Sequence, residues 1–166
     1  ARSHLERAIA LSPDLVSAHV QLALVHLEQR RGAEAVPHLR RALDLDPDDA
    51  DAPWLLGRAL LLTDRASDAV DAFERAARRA ANIEPWAHNI WGQALAQIGR
   101  VDEAVEHFRA ALAADPESAQ AHFFLGLVAE GRGRLDEAAA SYCRSLRADP
   151  SSPAESRIRQ LGRSCG

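Results

Sequence analysis

The chain has 166 residues, 47% of them hydrophobic, and a formal net charge of −4 from 20 basic and 24 acidic side chains. That length suits one core of ordinary size, and the mild acidity gives no footprint for nucleic acid or for an anionic membrane surface. Neither a signal peptide, a long apolar run nor a lipidation motif stands out in these residues.

Alanine is abundant and Arg, Glu, Leu and Gln fill the polar positions, so the chain reads as helical, with no alternating strand pattern. Residues 1–15 read as the second half of a unit, with Leu5 and Ala8 at helical spacing before Pro13. Residues 16–49 form a full unit. Its pair Leu22-Ala23 sets a large residue before a small one, and Ala35, Leu39, Ala42 and Pro47 follow. Residues 50–84 repeat the pattern with Leu56-Gly57, Ala69, Phe73 and Ala76, but Ala81 stands where Pro is due and one extra residue precedes Pro85. Residues 85–118 carry Trp91-Gly92, Ala104, Phe108, Ala111 and Pro116, and residues 119–152 carry Leu125-Gly126, Ala138, Tyr142, Ser145 and Pro150. The stretch from Pro153 to Leu161 is expected to start one more helix, with Arg157, Arg159, Gln160 and Arg163 on a polar face, as a cap or linker spanning 153–166.

Local chemistry explains the punctuation. The residue before Pro is pushed out of the α region, which ends each second helix, while Asp48-Asp49 or Glu117-Ser118 can cap the next helix start. Gly32, Gly99 and Gly133 are expected in the left-handed conformation that ends a helix, since only Gly adopts it without a Cβ penalty. Small slots let helices approach closely, and the bulky slot one turn away fills the space between them. The extra residue near Ala81 is expected to produce a local irregularity.

Pro13, Pro47, Pro116 and Pro150 recur at intervals of 34, 69 and 34 residues, the middle one being two periods plus one. With the large-small pair, the Ala slots and the bulky slot in register, the chain resembles the tetratricopeptide repeat over roughly residues 1–152. Gly99-Arg100-Val101-Asp102-Glu103-Ala104 and Gly133-Arg134-Leu135-Asp136-Glu137-Ala138 are similar to that family's turn into its second helix. The resemblance departs at the usual Trp, replaced by His19, Pro53, His88 and His122, and at the usual Tyr, replaced by His26, Leu60, Leu95 and Ala129. It implies an all-α fold, a right-handed superhelical solenoid of antiparallel helix pairs with four full repeats and partial flanking ones. Residue 1 falls where a second helix begins, so the sequence is expected to be a piece of a longer protein whose open repeat end favours end-to-end self-association.

Chemistry-bearing constellations are sparse. His19, His88 and His122 occupy one slot of the repeat, and His38 and His107 another, which favours ring packing with a hydrogen bond over metal binding. No Cys-x-x-Cys or His-Glu-x-x-His spacing supplies converging ligands, so no metal and no cofactor are expected. Cys143 and Cys165 are too few for a disulfide framework, and Cys143, beside the bulky slot, is expected as a partly buried free thiol. Asp48-Asp49 and Asp102-Glu103 fall at helix starts, where capping and the helix dipole account for them. No phosphate loop, nucleophile elbow or Cys-His pairing can be picked out, so these residues are expected to be non-catalytic. The absence of Lys alongside abundant Ala, Arg, Asp and Gly points to a GC-rich, bacterial genome. Compartment stays open between cytoplasm and periplasm.

In the family the first helix of each unit lines the groove. By that analogy the groove residues are Val20, Leu24 and Leu27, then Trp54, Arg58 and Leu61, then Trp86, Asn89 and Gln93, then Phe123 and Leu127. Their spacings of three and four place them on one helical face. A register shifted by one residue would put Trp54 or Phe123 into the core instead. The expected function is a protein-interaction scaffold holding a peptide or amphipathic helix of a partner, with Trp54 as an aromatic anchor. The alternatives are the substrate-recognition arm of a larger glycosyltransferase or sulfotransferase, and a structural spacer in a secretion or envelope complex. The acidic-tail clamp of chaperone-binding relatives is not reproduced, because Val20, Leu24, Leu55 and Trp86 replace its polar residues.

Overall fold

A computed structural model describes residues 2–165, Arg2 by its backbone alone. Among them are ten helices and no strands. The helices are α1 (Arg2–Leu11), α2 (Val16–Glu28), α3 (Gly32–Leu45), α4 (Ala52–Leu61), α5 (Ala66–Ala77), α6 (Pro85–Gln97), α7 (Val101–Ala114), α8 (Ala119–Gly131), α9 (Leu135–Ala148) and α10 (Ala154–Gln160). They pair as hairpins, α2 on α3, α4 on α5, α6 on α7 and α8 on α9. The chain divides into two compact units, 1–82 and 83–166, and the boundary falls in the long connection between α5 and α6.

The second helices stop where Pro follows. Asp46, Asp115 and Asp149, each just before a proline, are extended, with φ near −134°, −132° and −140°. Each carboxylate then accepts the backbone N–H two residues on, from Asp48, Glu117 and Ser151 at 3.1, 3.2 and 2.9 Å. These Asp-Pro turns prepare the next helix start. Asp49 accepts from the backbone N–H groups of Asp51 and Ala52 at the start of α4, and Ser118 Oγ accepts from Ala121 N in α8. Capping by Asp49 and Ser118 therefore follows the chemistry expected of them.

The hairpin turn requires a left-handed residue, and the expectation for Gly32 is corrected. Gly99 and Gly133 have φ of +84° and +73°, but in the first two hairpins the position is taken by Arg30 (φ 57°) and Asp64 (φ 56°). Gly32 instead opens α3. A Cβ there would sit 2.5 Å from the Ala59 carbonyl oxygen and 2.7 Å from Leu62 Cβ, so close approach, not φ, is what requires glycine.

Three of the four hairpins, all but α2 on α3, set a glycine against an aromatic ring. A Cβ on Gly57, Gly92 or Gly126 would lie 2.4, 2.6 or 2.5 Å from the rings of Phe73, Phe108 and Tyr142. Leu39, Phe73, Phe108 and Tyr142 are fully buried, as are Ala35, Ala69, Ala104 and Ala138. Burying one such aromatic side chain contributes on the order of 2–3 kcal/mol, and the snug glycine contact fixes its rotamer. Ser145, in a slot filled by alanine elsewhere, is also fully buried and shares a hydrogen bond with Ser152 Oγ, which accepts from Ala154 N at the start of α10.

Cys143 and Cys165 are joined by a disulfide, which corrects the free-thiol expectation. Two cysteines do not make a framework, yet Cys165 lies on a tail that folds back along α9, and proximity in space decided the pairing.

Candidate functional site

The eleven face residues fall into two groups of different character. In the first unit, α2 and α4 adjoin. Leu27 is 1% exposed, Trp54 8%, and Val20 and Leu61 9%, while Leu24 and Arg58 are half-buried. Trp54 lays its ring against Phe73, centroids 6.0 Å apart. It works mainly as hairpin packing, and the anchor role read for it has little surface to act through.

In the second unit α6 and α8 adjoin, and the face is more open. Trp86 is 39% exposed and Gln93, Phe123 and Leu127 are half-buried. Phe123 packs beside Tyr142 and edge-on to Phe124. Asn89 is 4% exposed and donates from Nδ2 to Ser118 Oγ at 3.1 Å, so it ties α6 to the cap of α8. Between α6, α7 and α8 lies a cleft of about 570 Å³, lined by apolar Phe108, Phe124, Leu127 and Val128 and by polar Gln93, Gln97 and the Asp102–Arg132 pair. Gln93 and Leu127 are thus brought together; Phe124, Val128 and Gln97 were missed. Gln97 follows Gln93 by four residues, one helical turn, and that spacing was the available signal.

Four of the seven histidines form two hydrogen-bonded pairs. His19 Nε2 lies 3.0 Å from the Pro13 carbonyl and its Nδ1 lies 3.1 Å from His38 Nδ1. A carbonyl only accepts, so His19 carries its proton on Nε2 and accepts at Nδ1 from the Nδ1–H of His38. His26 stacks on His38 with rings 8° from parallel. In the third repeat His88 and His107 meet Nδ1 to Nδ1 at 2.9 Å, and Trp91 lies 4.0 Å from the His107 ring. Burial, reinforced by His88, pushes the His107 pKa down to about 4, and burial also lowers His88 and His38. His38, His88 and His107 are packing elements whose burial favours the neutral ring. Among the described residues no group of three or more His, Cys, Asp or Glu is placed to hold a metal ion, and no helix is long and apolar enough to cross a membrane.

The tetratricopeptide repeat family model matches residues 1–49, 20–82 and 91–153. The chain belongs to the tetratricopeptide repeat family. No curated protein matches the sequence. Among solved structures, MamA is 23% identical with a TM-score of 0.76, over 95% of this chain and 89% of that one. YrrB, described as a TPR protein with an unusual peptide-binding site, is 21% identical with a TM-score of 0.76, over 96% and 81%. PilW, described as a widely conserved type IV pilus biogenesis factor, is 20% identical with a TM-score of 0.81, over 98% and 77%. At these identities the likeness shows the fold: helical-hairpin repeats of the tetratricopeptide type.

Within that repeat, the histidines stand in for aromatic residues. His19 and His122 each place Nε2 3.0 Å from the carbonyl of the proline six residues before, so the imidazole both fills the slot and holds the inter-hairpin turn. A tetratricopeptide scaffold with these substitutions keeps its packing and gains a polar tie at the turn.

Proposed function

We propose that this tetratricopeptide scaffold is non-catalytic and holds a peptide segment of a partner protein in the cleft between α6, α7 and α8. The observation that carries the reading is the cleft itself, whose lining combines apolar Phe124, Leu127 and Val128 with the amides of Gln93 and Gln97. A primary amide both donates and accepts, so two of them one helical turn apart can serve the N–H and C=O groups of a peptide backbone, while the apolar residues take a side chain. The peptide-binding site of YrrB supports a peptide as the ligand class. Trp86, about two turns before Gln93 on α6 and outside the cleft lining, is an exposed aromatic that a longer segment would meet.

The test is affinity capture from a lysate of the source organism with the native chain and with Leu127→Glu and Gln93→Ala, circular dichroism confirming that all three fold. A protein retained by the native chain is expected to be lost with Leu127→Glu, and a labelled segment of it should bind at least about tenfold more weakly to that variant. Capture that is indifferent to both substitutions overturns the cleft as the site and favours a substrate arm or a spacer.

A further inference from the structure

The tail beyond α9 is fastened to the last hairpin by three kinds of contact. Ala154 and Ile158 of α10 bury against Ala129, Ala138, Tyr142 and Cys143, with Leu161 packed alongside. Arg157 reaches Glu130 at 3.4 Å, the same carboxylate that accepts the Tyr142 hydroxyl, and Arg163 reaches Asp136 of α9 at 2.8 Å. Finally, Cys165 is bonded to Cys143, 22 residues away in sequence and 5.5 Å away between Cα atoms.

The non-covalent holds are weak by themselves. α10 has seven residues, fewer than a helix needs to persist alone in water. The Arg163–Asp136 pair is 46% and 89% exposed, where ion pairs contribute little. Only two side chains of α10 are fully sheltered, and ordering the tail costs backbone freedom at every residue. The covalent bond adds a constraint that these contacts lack, because it removes most of the tail's alternative positions.

We propose that Cys143 and Cys165 form a redox clasp that locks α10 over the outer face of the last hairpin and releases it on reduction. To close, the two thiols give up two protons and two electrons to a small-molecule or protein disulfide, which departs as two thiols. To open, a thiolate attacks Sγ of the exposed Cys165, forming a mixed disulfide and expelling Cys143 as a thiolate that takes up a proton. A second thiol then attacks the mixed disulfide and frees Cys165. Attack at Cys165 is favoured because Cys143 is only 8% exposed on α9. With the clasp open, Ala129, Ala138 and Tyr142 lose their cover, and that is the face on which another hairpin stacks in a repeat protein. The clasp is shut where thiols are oxidised and open where they are kept reduced.

The experiment is hydrogen exchange read by mass spectrometry on the full chain, equilibrated with oxidised glutathione or with a phosphine reductant, alongside Cys165→Ser. Thiol alkylation is scored in each sample. After oxidised glutathione no thiol should be alkylated, and amides of 154–160 should exchange slowly. Reduction should speed them at least about tenfold while α2 to α8 stay unchanged. Cys165→Ser, altered only at an exposed tail position, should exchange quickly in both buffers. Two alkylatable thiols surviving oxidised glutathione, or exchange in 154–160 unchanged once both thiols are shown to be free, overturns the clasp.

Discussion

In the slot that holds Val20, Trp54, Asn89 and Phe123, the first unit buries both of its residues, whereas the second buries Asn89 and leaves Phe123 half-buried. On α4 in the first unit, Trp54 and Leu61 turn into packing and leave only Arg58 half-open. On α6 and α8 in the second, Gln93, Phe123 and Leu127 stay half-buried beside an open cleft. The turns differ as well, since Arg30 and Asp64 hold the left-handed position in the first unit and Gly99 and Gly133 in the second. The same helical geometry thus carries a largely closed face on α4 and a cleft beside α6 and α8.

Truncating one face tryptophan in each unit separates the two faces most strongly. Trp54→Ala should cost about 3–4 kcal/mol in urea unfolding, as a buried aromatic does, while Trp86→Ala should cost less than about 1 kcal/mol. Equal losses would mean that the first face is not closed in the way described. The turns give the next largest effect. Gly99→Ala forces a Cβ into φ of +84° and should destabilise by about 1–2 kcal/mol, whereas Arg30→Gly relieves the same strain and should stabilise by roughly 0.5–1 kcal/mol. Chemical denaturation of the pair checks both signs at once.

Acid response gives the smallest effect. His107 accepts a proton near pH 6.5 when unfolded but only near pH 4 when folded, so the unfolded chain binds more protons between those values and stability falls as pH drops through that window. His88 and His38 shift in the same direction. Replacing His107 with Gln keeps a polar group there and removes the titration. The Tm difference between pH 7 and pH 4.5 should shrink by about 3 °C relative to the native chain, read by differential scanning calorimetry. A matching His38→Gln variant asks whether the first unit shares the response.

The all-helical repeat and its slots were legible in the sequence because both depend on contacts between residues close along the chain. Phe73, Phe108 and Tyr142 each meet the glycine of their own hairpin, a distance the 34-residue register already encodes. Gln93 and Leu127 were legible as face residues, but not the cleft they share with Phe124 and Val128, because its depth depends on how far α8 stands from α6. Gly32 was misread because two glycine requirements, positive φ and close approach, look alike in a sequence. The Asp-Pro turns were only half read: proline ending the helix was plain, whereas the aspartate carboxylates holding the backbone two residues on were not noticed.

What the sequence determined by itself was the hairpin and its repetition, since helix spacing, proline stops and large-small pairs act over a few residues or one fixed period. Tertiary structure decided which face residues are covered, which residue takes the left-handed turn and that Cys143 meets Cys165. The physical reason is that burial and disulfide bonding depend on what arrives from elsewhere in the chain, and the stretch after the last full repeat carries no periodicity that announces where it folds back.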